Sequence, residues 1–133
     1  PKALLYYQQA LAIIKQIGNK AGEYTTLNNI GVVYRNLGEY PKALLHYQQA
    51  LAISKQIGHK AGEDATLNNI GEVYDNLGEY SKALLHYQQA LDITKQIGNK
   101  AGEGNTLNKI GLVYNNLGEY PKALLHYQQA LAI

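Results

Sequence analysis

The chain has 133 residues, a net charge of +2, and no Cys, Met, Trp or Phe. Without cysteine it can form no disulfide, zinc–thiolate site, iron–sulfur cluster or cysteine nucleophile. Balanced acidic and basic residues disfavour a nucleic-acid-binding face, and the lack of a signal peptide or a bilayer-spanning apolar run predicts a cytoplasmic protein without nucleic-acid or membrane partners.

A 40-residue repeat accounts for the unusual composition. Two full copies occupy residues 21–60 and 61–100 and differ at eight of 40 positions. A partial copy, residues 1–20, precedes them, and a truncated copy, residues 101–133, follows them. Ten of the 12 tyrosines and 12 of the 13 glycines fall at recurring positions, so we interpret them as packing and helix-end residues. The sequence therefore predicts a single repeat array over residues 1–133.

The partial copy contains one predicted helix, which we call helix B, and each later copy begins with a second type, helix A. Apolar and small residues recur in helix A at steps of three and four, which predicts one buried helical face. In the first full copy this face consists of Leu27, Ile30, Gly31, Tyr34 and Leu37. Asn19 and Asn99 are suited to cap helix A at its first turn.

Helix B follows a Leu-Gly-Glu turn and has its own periodic set of residues. In the first full copy this set consists of Ala43, Leu44, Tyr47, Ala50, Leu51 and Ile57. Pro41 falls in the first turn of this helix, where a missing N–H costs nothing, and Gly38 and Gly58 follow the two periodic stretches as left-handed caps. The pattern predicts an all-α fold of seven helices in the order B-A-B-A-B-A-B, packed as an α-solenoid of antiparallel helix pairs.

The recurring residues resemble the signature of the tetratricopeptide repeat (TPR) family. They are Ile30-Gly31, Tyr34, Gly38-Glu39-Tyr40, Ala43, Tyr47 and Ala50, with their equivalents in the other copies. The family's usual proline near the end of helix B is replaced by Lys55 or Lys95, which predicts a longer helix B. With its 40-residue period the array is similar to the long-helix variants in kinesin light chains and cell-polarity adaptors. The resemblance implies a right-handed superhelix and a protein–protein interaction scaffold. The residues themselves contain no catalytic or cofactor-binding motif, so we expect no enzymatic activity and no cofactor.

The resemblance also implies that a peptide or protein segment binds in a concave groove lined by the outward stripe of each helix A. The stripe residues, with one lysine beside them, are Thr25, Asn28, Val32, Arg35, Asn36, Ala65, Asn68, Glu72, Asp75, Asn76, Asn105, Asn108, Lys109, Leu112, Asn115 and Asn116. The first and third copies differ at five of 33 shared positions, all on helix A, and three of these lie on the stripe. These differences fit either a binding groove or free drift at exposed positions.

The invariant asparagines of the stripe allow two interpretations. An amide can bond both the N–H and the C=O of an extended peptide, so Asn28, Asn68 and Asn108 can form a ladder that binds a ligand backbone. Alternatively, these side chains solvate helix A or bridge adjacent repeats. The sequence leaves both interpretations open.

Charge along the stripe is uneven, because Glu72 and Asp75 make its middle acidic. We therefore expect a ligand to place a lysine or arginine near these two residues. A carboxylate clamp of the kind found in some TPR domains is not expected, because the position of its third-copy lysine holds Asn105.

Other polar residues give weaker signals. His46, His86 and His126 recur every 40 residues, but stacked helices would place them about 10 Å apart, too far to share a metal ion. Ser54 and Ser81, the only serines, lie in no nucleophile motif. We expect neither a metal site nor a catalytic site.

A structural, self-assembling role is the alternative to ligand binding. The first and last segments have ordinary repeat sequence in place of polar capping repeats, and residues 1–13 match 121–133 except that Tyr6 replaces His126. Exposed apolar stripes at these segments would favour a homo-oligomer that forms head-to-tail or by swapping.

Overall fold

The computed structural model describes all residues, 1–133, and contains seven α-helices and no strand. The helices are α1 (Lys2–Gln16), α2 (Lys20–Asn36), α3 (Tyr40–Gln56), α4 (Lys60–Asn76), α5 (Tyr80–Gln96), α6 (Lys100–Asn116) and α7 (Tyr120–Leu131). Odd-numbered helices are the predicted B helices and even-numbered ones the A helices, so the predicted order is confirmed.

The helix ends form where glycine, asparagine and proline predict them. Gly38 has φ +77°, its N–H donates to the carbonyl of Arg35 at 3.0 Å, and the N–H of Glu39 donates to that of Tyr34 at 2.9 Å. This is a Schellman motif, which satisfies two carbonyls left over at the end of α2. Asn19 caps the other end of α2 by accepting the N–H of Gly22 at 3.0 Å.

Helix B is long, as the missing proline predicts. Lys55 lies inside α3, which ends at Gln56 and is followed by Gly58, a residue with φ +70°. Pro41 occupies the first turn of α3, where it removes no helical hydrogen bond.

The chain divides into two compact units, residues 1–66 and 67–133, and the boundary falls within α4. In the first unit α2 packs against α1 and α3. Its core contains Tyr24, Leu27, Ala50 and Ile53, with Leu11 packed against them. In the second unit α6 packs against α5 and α7. Its core contains Ala83, Tyr87, Leu91, Leu107, Ile110 and Val113.

A glycine in each helix A allows a tyrosine of the following helix B to pack close to the backbone. A methyl group added at Gly71 would lie 2.5 Å from Cε1 of Tyr87, and one added at Gly31 would lie equally close to Tyr47. Both tyrosine side chains are fully buried. The predicted packing role of these residues therefore has a specific geometric basis.

The predicted buried faces need two corrections. Leu37 and Ile57 were expected on those faces, but their side chains are 48% and 40% exposed. Both are the last residues before a capping glycine, where the chain turns away from the helix axis. In contrast Ile53, absent from the predicted periodic set, is buried.

Candidate functional site

The predicted stripe residues of the first unit lie on α2 and at the start of α4. Thr25, Asn36 and Ala65 are exposed. Asn28, Val32 and Arg35 are half-buried, because neighbouring side chains partly cover them. The stripe of this unit is therefore only partly open to solvent.

In the second unit the stripe runs along α4 and α6, and we call it the α4–α6 surface. Its half-buried residues are Asn68, Glu72, Asp75 and Lys109, and its exposed residues are Asn76, Asn105, Asn108, Leu112, Asn115 and Asn116. The opposite side of α6 carries Leu107, Ile110 and Val113 of the core. Packing of this apolar face against the core is what turns the asparagines and Leu112 toward solvent.

In the first unit an asparagine bridges two repeats. Asn28 Nδ2 donates to Thr66 Oγ1 at 3.1 Å, and Thr66 lies on the next helix A. Thr66 Oγ1 also lies 3.3 Å from the hydroxyl of Tyr24, which donates to the carbonyl of Gly62 at 2.9 Å. This network has the geometry of the bridging interpretation for Asn28.

The same pairing recurs in the second unit. The hydroxyl of Thr106 donates to Asn68 Oδ1 at 3.4 Å, again from one helix A to the preceding one. Asn108, the equivalent residue on α6, is exposed. Of the three asparagines in the predicted ladder, Asn108 presents its amide most openly, and a ligand-binding role for the ladder stays a prediction.

The periodic pattern of helix A does not by itself assign a role to the threonine partners. Thr66 and Thr106 are almost completely buried, although their hydroxyl groups are polar. One sequence feature does indicate them. A threonine recurs two residues before each invariant asparagine, on the side of helix A next to the apolar face, where a buried hydroxyl group needs a hydrogen-bond partner. The separation of 38 residues, slightly less than one repeat, then matches a bond between neighbouring repeats.

An ion pair crosses the α4–α6 surface. Lys109 Nζ lies 2.8 Å from Glu72 Oε1, and about a third of each side chain is exposed. Such a partly exposed pair contributes only about 0–1 kcal/mol to stability, but it fixes where the two charges lie. The positive charge of Lys109 is thus held at Glu72.

Asp75 lies one helical turn beyond Glu72. Burial, together with the negative charge of Glu72, raises the pKa of the Asp75 carboxyl group. The pKa of the hydroxyl group of the buried Tyr87 is also raised. Burial is the main cause, and the negative charges of Glu72 and Asp75 add to it. The electrostatic environment around Asp75 therefore disfavours negative charge and would favour an incoming cation.

A second polar cluster recurs where each helix A meets its helix B. Nδ1–H of His46 donates to the carbonyl of Lys42 at 2.8 Å, and the imidazole contacts the ring of Tyr34 with 5.2 Å between centroids. Lys42 Nζ lies 5.5 Å from the centroid of the same ring and 3.1 Å from Glu39. His86 and His126 make the same contacts in their own copies. Each histidine is thereby tied to its own helix hairpin.

Tandem antiparallel helix pairs with a glycine–tyrosine contact in each pair define an all-α repeat protein. The sequence model of the tetratricopeptide repeat matches residues 1–56, 22–96 and 62–133. The chain therefore belongs to the tetratricopeptide repeat family, and the predicted α-solenoid class is confirmed. Members of this family typically act as non-enzymatic protein–protein interaction scaffolds. No curated protein sequence matches the chain.

Solved structures support the fold assignment. BtubC (BKLC) from P. vanneervenii is 23% identical with a TM-score of 0.89 over 97% of this chain and 54% of its own. A Rap protein complexed with competence and sporulation factor is 22% identical with a TM-score of 0.87 over 97% of this chain and 36% of its own. A putative kinesin light chain from Podosopora anserina, with nearly identical TPR-like repeats, is 15% identical with a TM-score of 0.80 over 98% of this chain and 65% of its own. The chain thus spans about a third to two thirds of these proteins.

None of the seven helices combines the length and the apolar character that a membrane crossing requires.

Proposed function

We propose that the α4–α6 surface binds a segment of a partner protein. The observation that carries this proposal is the exposed stripe of α6, where Asn105, Asn108 and Leu112 face solvent beside the charged residues of α4. Three of the positions at which the first and third copies differ lie on this stripe, at Asn105, Leu112 and Asn115. The chemistry of the stripe therefore varies while the core stays the same. The similar Rap structure, which contains a bound factor, supports a binding role.

The stripe of the first unit is proposed to act in the same way, through its exposed Thr25, Asn36 and Ala65 and its half-buried Asn28, Val32 and Arg35. A basic residue of the ligand is proposed to lie near Glu72 and Asp75. The raised pKa of Asp75 means that its charged form is disfavoured, and a nearby cation would stabilise that form.

A peptide array probed with the full chain tests this function. The double variant Asn108→Ala/Leu112→Ala should lose the peptides that the natural chain retains, since both side chains are exposed and their removal leaves the core intact. The matched control is Gln48→Ala/Gln49→Ala on the exposed side of α3, which should retain them. Equal retention by both variants would contradict the proposal.

Self-association is the second candidate, favoured by the match between the sequences of α1 and α7. Residues 121–133 repeat 1–13 apart from the exposed Tyr6, so α7 of one molecule has the side chains needed to take the place of α1 on α2 of another.

Sedimentation over a wide range of concentrations would detect this exchange. We expect monomers at low concentration and larger species at high concentration, because α1 of the same chain competes for the site at a high effective concentration. Strictly monomeric behaviour throughout would exclude self-association. The cytoplasmic location stays a prediction, which imaging of the tagged chain would test.

A further inference from the structure

Two observed contacts fix how α4 and α6 lie beside each other in the second unit. Thr106 bonds Asn68, and one turn further along both helices Lys109 pairs with Glu72. Because residue numbers rise together on the two helices, α4 and α6 run parallel over this stretch. One more turn brings Leu112 beside Asp75, since each helix advances by three residues.

This pair of neighbours combines a carboxylate with an apolar side chain at the surface. Leu112 is 47% exposed, and it takes the place that Glu72 holds in the second copy and Val32 in the first. Asp75 is half-buried, and no lysine or arginine of the chain forms an ion pair with it. Lys109, the cation on the facing helix, is held at Glu72 by the 2.8 Å pair.

We propose that Asp75 and Leu112 together recognise a peptide that carries a basic and an apolar side chain two residues apart, in either order. This inference rests on the proposed peptide-binding function and specifies its ligand. Side chains two residues apart on an extended peptide lie on the same side and about 7 Å apart, close to the spacing of about 8–10 Å between packed helices. The basic side chain pairs with Asp75, and the apolar one covers Leu112.

Glu72 acts as a positioning residue, since it keeps the charge of Lys109 away from Asp75. Replacing Glu72 by glutamine frees Lys109, which then competes with the ligand cation. Replacing Lys109 by glutamine removes one positive charge from the neighbourhood of Asp75, which then attracts the ligand cation more strongly. The two substitutions therefore change affinity in opposite directions, whereas a purely structural ion pair would give the same loss from either side.

The test uses the full chain and a library of terminally blocked seven-residue peptides that carry lysine and leucine two positions apart, in both orders. Peptides with glutamate for lysine, or alanine for leucine, are the matched controls. We expect the lysine–leucine peptides to bind best. Loss of one charged contact in Asp75→Asn should weaken binding about tenfold or more. Glu72→Gln should weaken it, Lys109→Gln should strengthen it, and Leu112→Ala should abolish the preference for leucine.

A charge exchange provides rescue. Asp75→Lys should bind the glutamate–leucine peptides and reject the lysine–leucine ones, and circular dichroism should show that each variant keeps its helices. A different outcome is that other peptides bind in a way that requires Asn108 and Leu112, without any preference for lysine–leucine peptides. That result would contradict the proposed ligand specificity but would leave the proposed peptide-binding function intact. If no peptide binds, both are wrong.

Discussion

At the residue scale, an absent methyl group sets the distance between helices A and B. Tyr87 packs on Gly71 so closely that a methyl group there would lie 2.5 Å from its ring. Tyr87 has core on its other sides, and overpacking of this kind destabilises a protein because the surroundings must shift. The contact therefore leaves no room for a side chain at Gly71 unless Tyr87 shifts.

We predict that Gly71→Ala lowers the free energy of unfolding by about 1–3 kcal/mol. The control is Gly104→Ala in α6, where an added methyl group has no heavy atom within 4 Å. Alanine at that position should stabilise the chain by up to about 1 kcal/mol through its higher helix propensity. Urea denaturation of both variants measures the difference, and equal effects of the two substitutions would refute the packing explanation.

Asp75 supplies a prediction with a pH dependence. Its pKa in the folded chain is raised by burial and by Glu72, so the folded state holds this proton more tightly than the unfolded state. Stability contributed by the protonated carboxyl is therefore lost as the pH rises from the ordinary value of 3.8 through the folded pKa. Asp75 also lies in the last turn of α4, where negative charge is unfavourable.

Asp75→Asn should accordingly stabilise the chain at pH 7 by about 0.3–1 kcal/mol, the usual size of a helix-end effect. The gain should vanish below the ordinary aspartate pKa, where the natural side chain is neutral in both states. Thermal melts between pH 3 and pH 7 measure this, with the exposed Asp92→Asn as control. A gain that does not change with pH would contradict the electrostatic cause.

At the scale of the helix, the link between neighbouring A helices is a side-chain hydrogen bond. Asn28→Ala removes the bond to Thr66 and should cost about 0.5–1.5 kcal/mol. Asn108→Ala, on the exposed α6 position, should change stability by less than about 0.5 kcal/mol. A double-mutant cycle with Thr66→Val isolates the bond, and a coupling energy near zero would show that the pair is not a bridge.

Sequence periodicity predicts the faces of single helices well, but not their mutual register. Gly38, Asn19 and Pro41 act within their own turn, so local chemistry is enough to predict where helices end. The pairing of Lys109 with Glu72 depends on how far α6 is shifted along α4, and no pattern within one helix contains that shift. Leu37 illustrates the remaining error, because its spacing fits the buried face while the turn at Gly38 leaves it exposed.

At the scale of the whole molecule, burial is concentrated in the central helices of each unit. Helices α1 and α7 each bury one residue, Leu4 and Ala123 respectively, whereas α2 and α6 bury six each. In repeat proteins stability comes from contacts with neighbouring elements, so an outer helix opens more easily than an inner one.

We predict that backbone amides of α1 and α7 exchange with deuterium faster than those of α2 and α6. Hydrogen exchange followed by mass spectrometry of peptic fragments measures this directly. Addition of a peptide that binds the α4–α6 surface should slow exchange in α6 more than in α2. If the amides of α1 were as strongly protected from exchange as those of α2, the prediction would be wrong.

The asparagine–threonine bond has a consequence for how such a gene can change. Asn28 and Asn68 each bond a threonine of the repeat that follows, so every repeat carries one half of a bond for each neighbour. Unequal recombination can add or delete 120 base pairs of coding sequence, which equals one 40-residue copy. At the new junction the asparagine of one repeat would again lie next to the threonine of the following repeat. A point mutation in one threonine would instead be inherited by every later duplicate of that repeat.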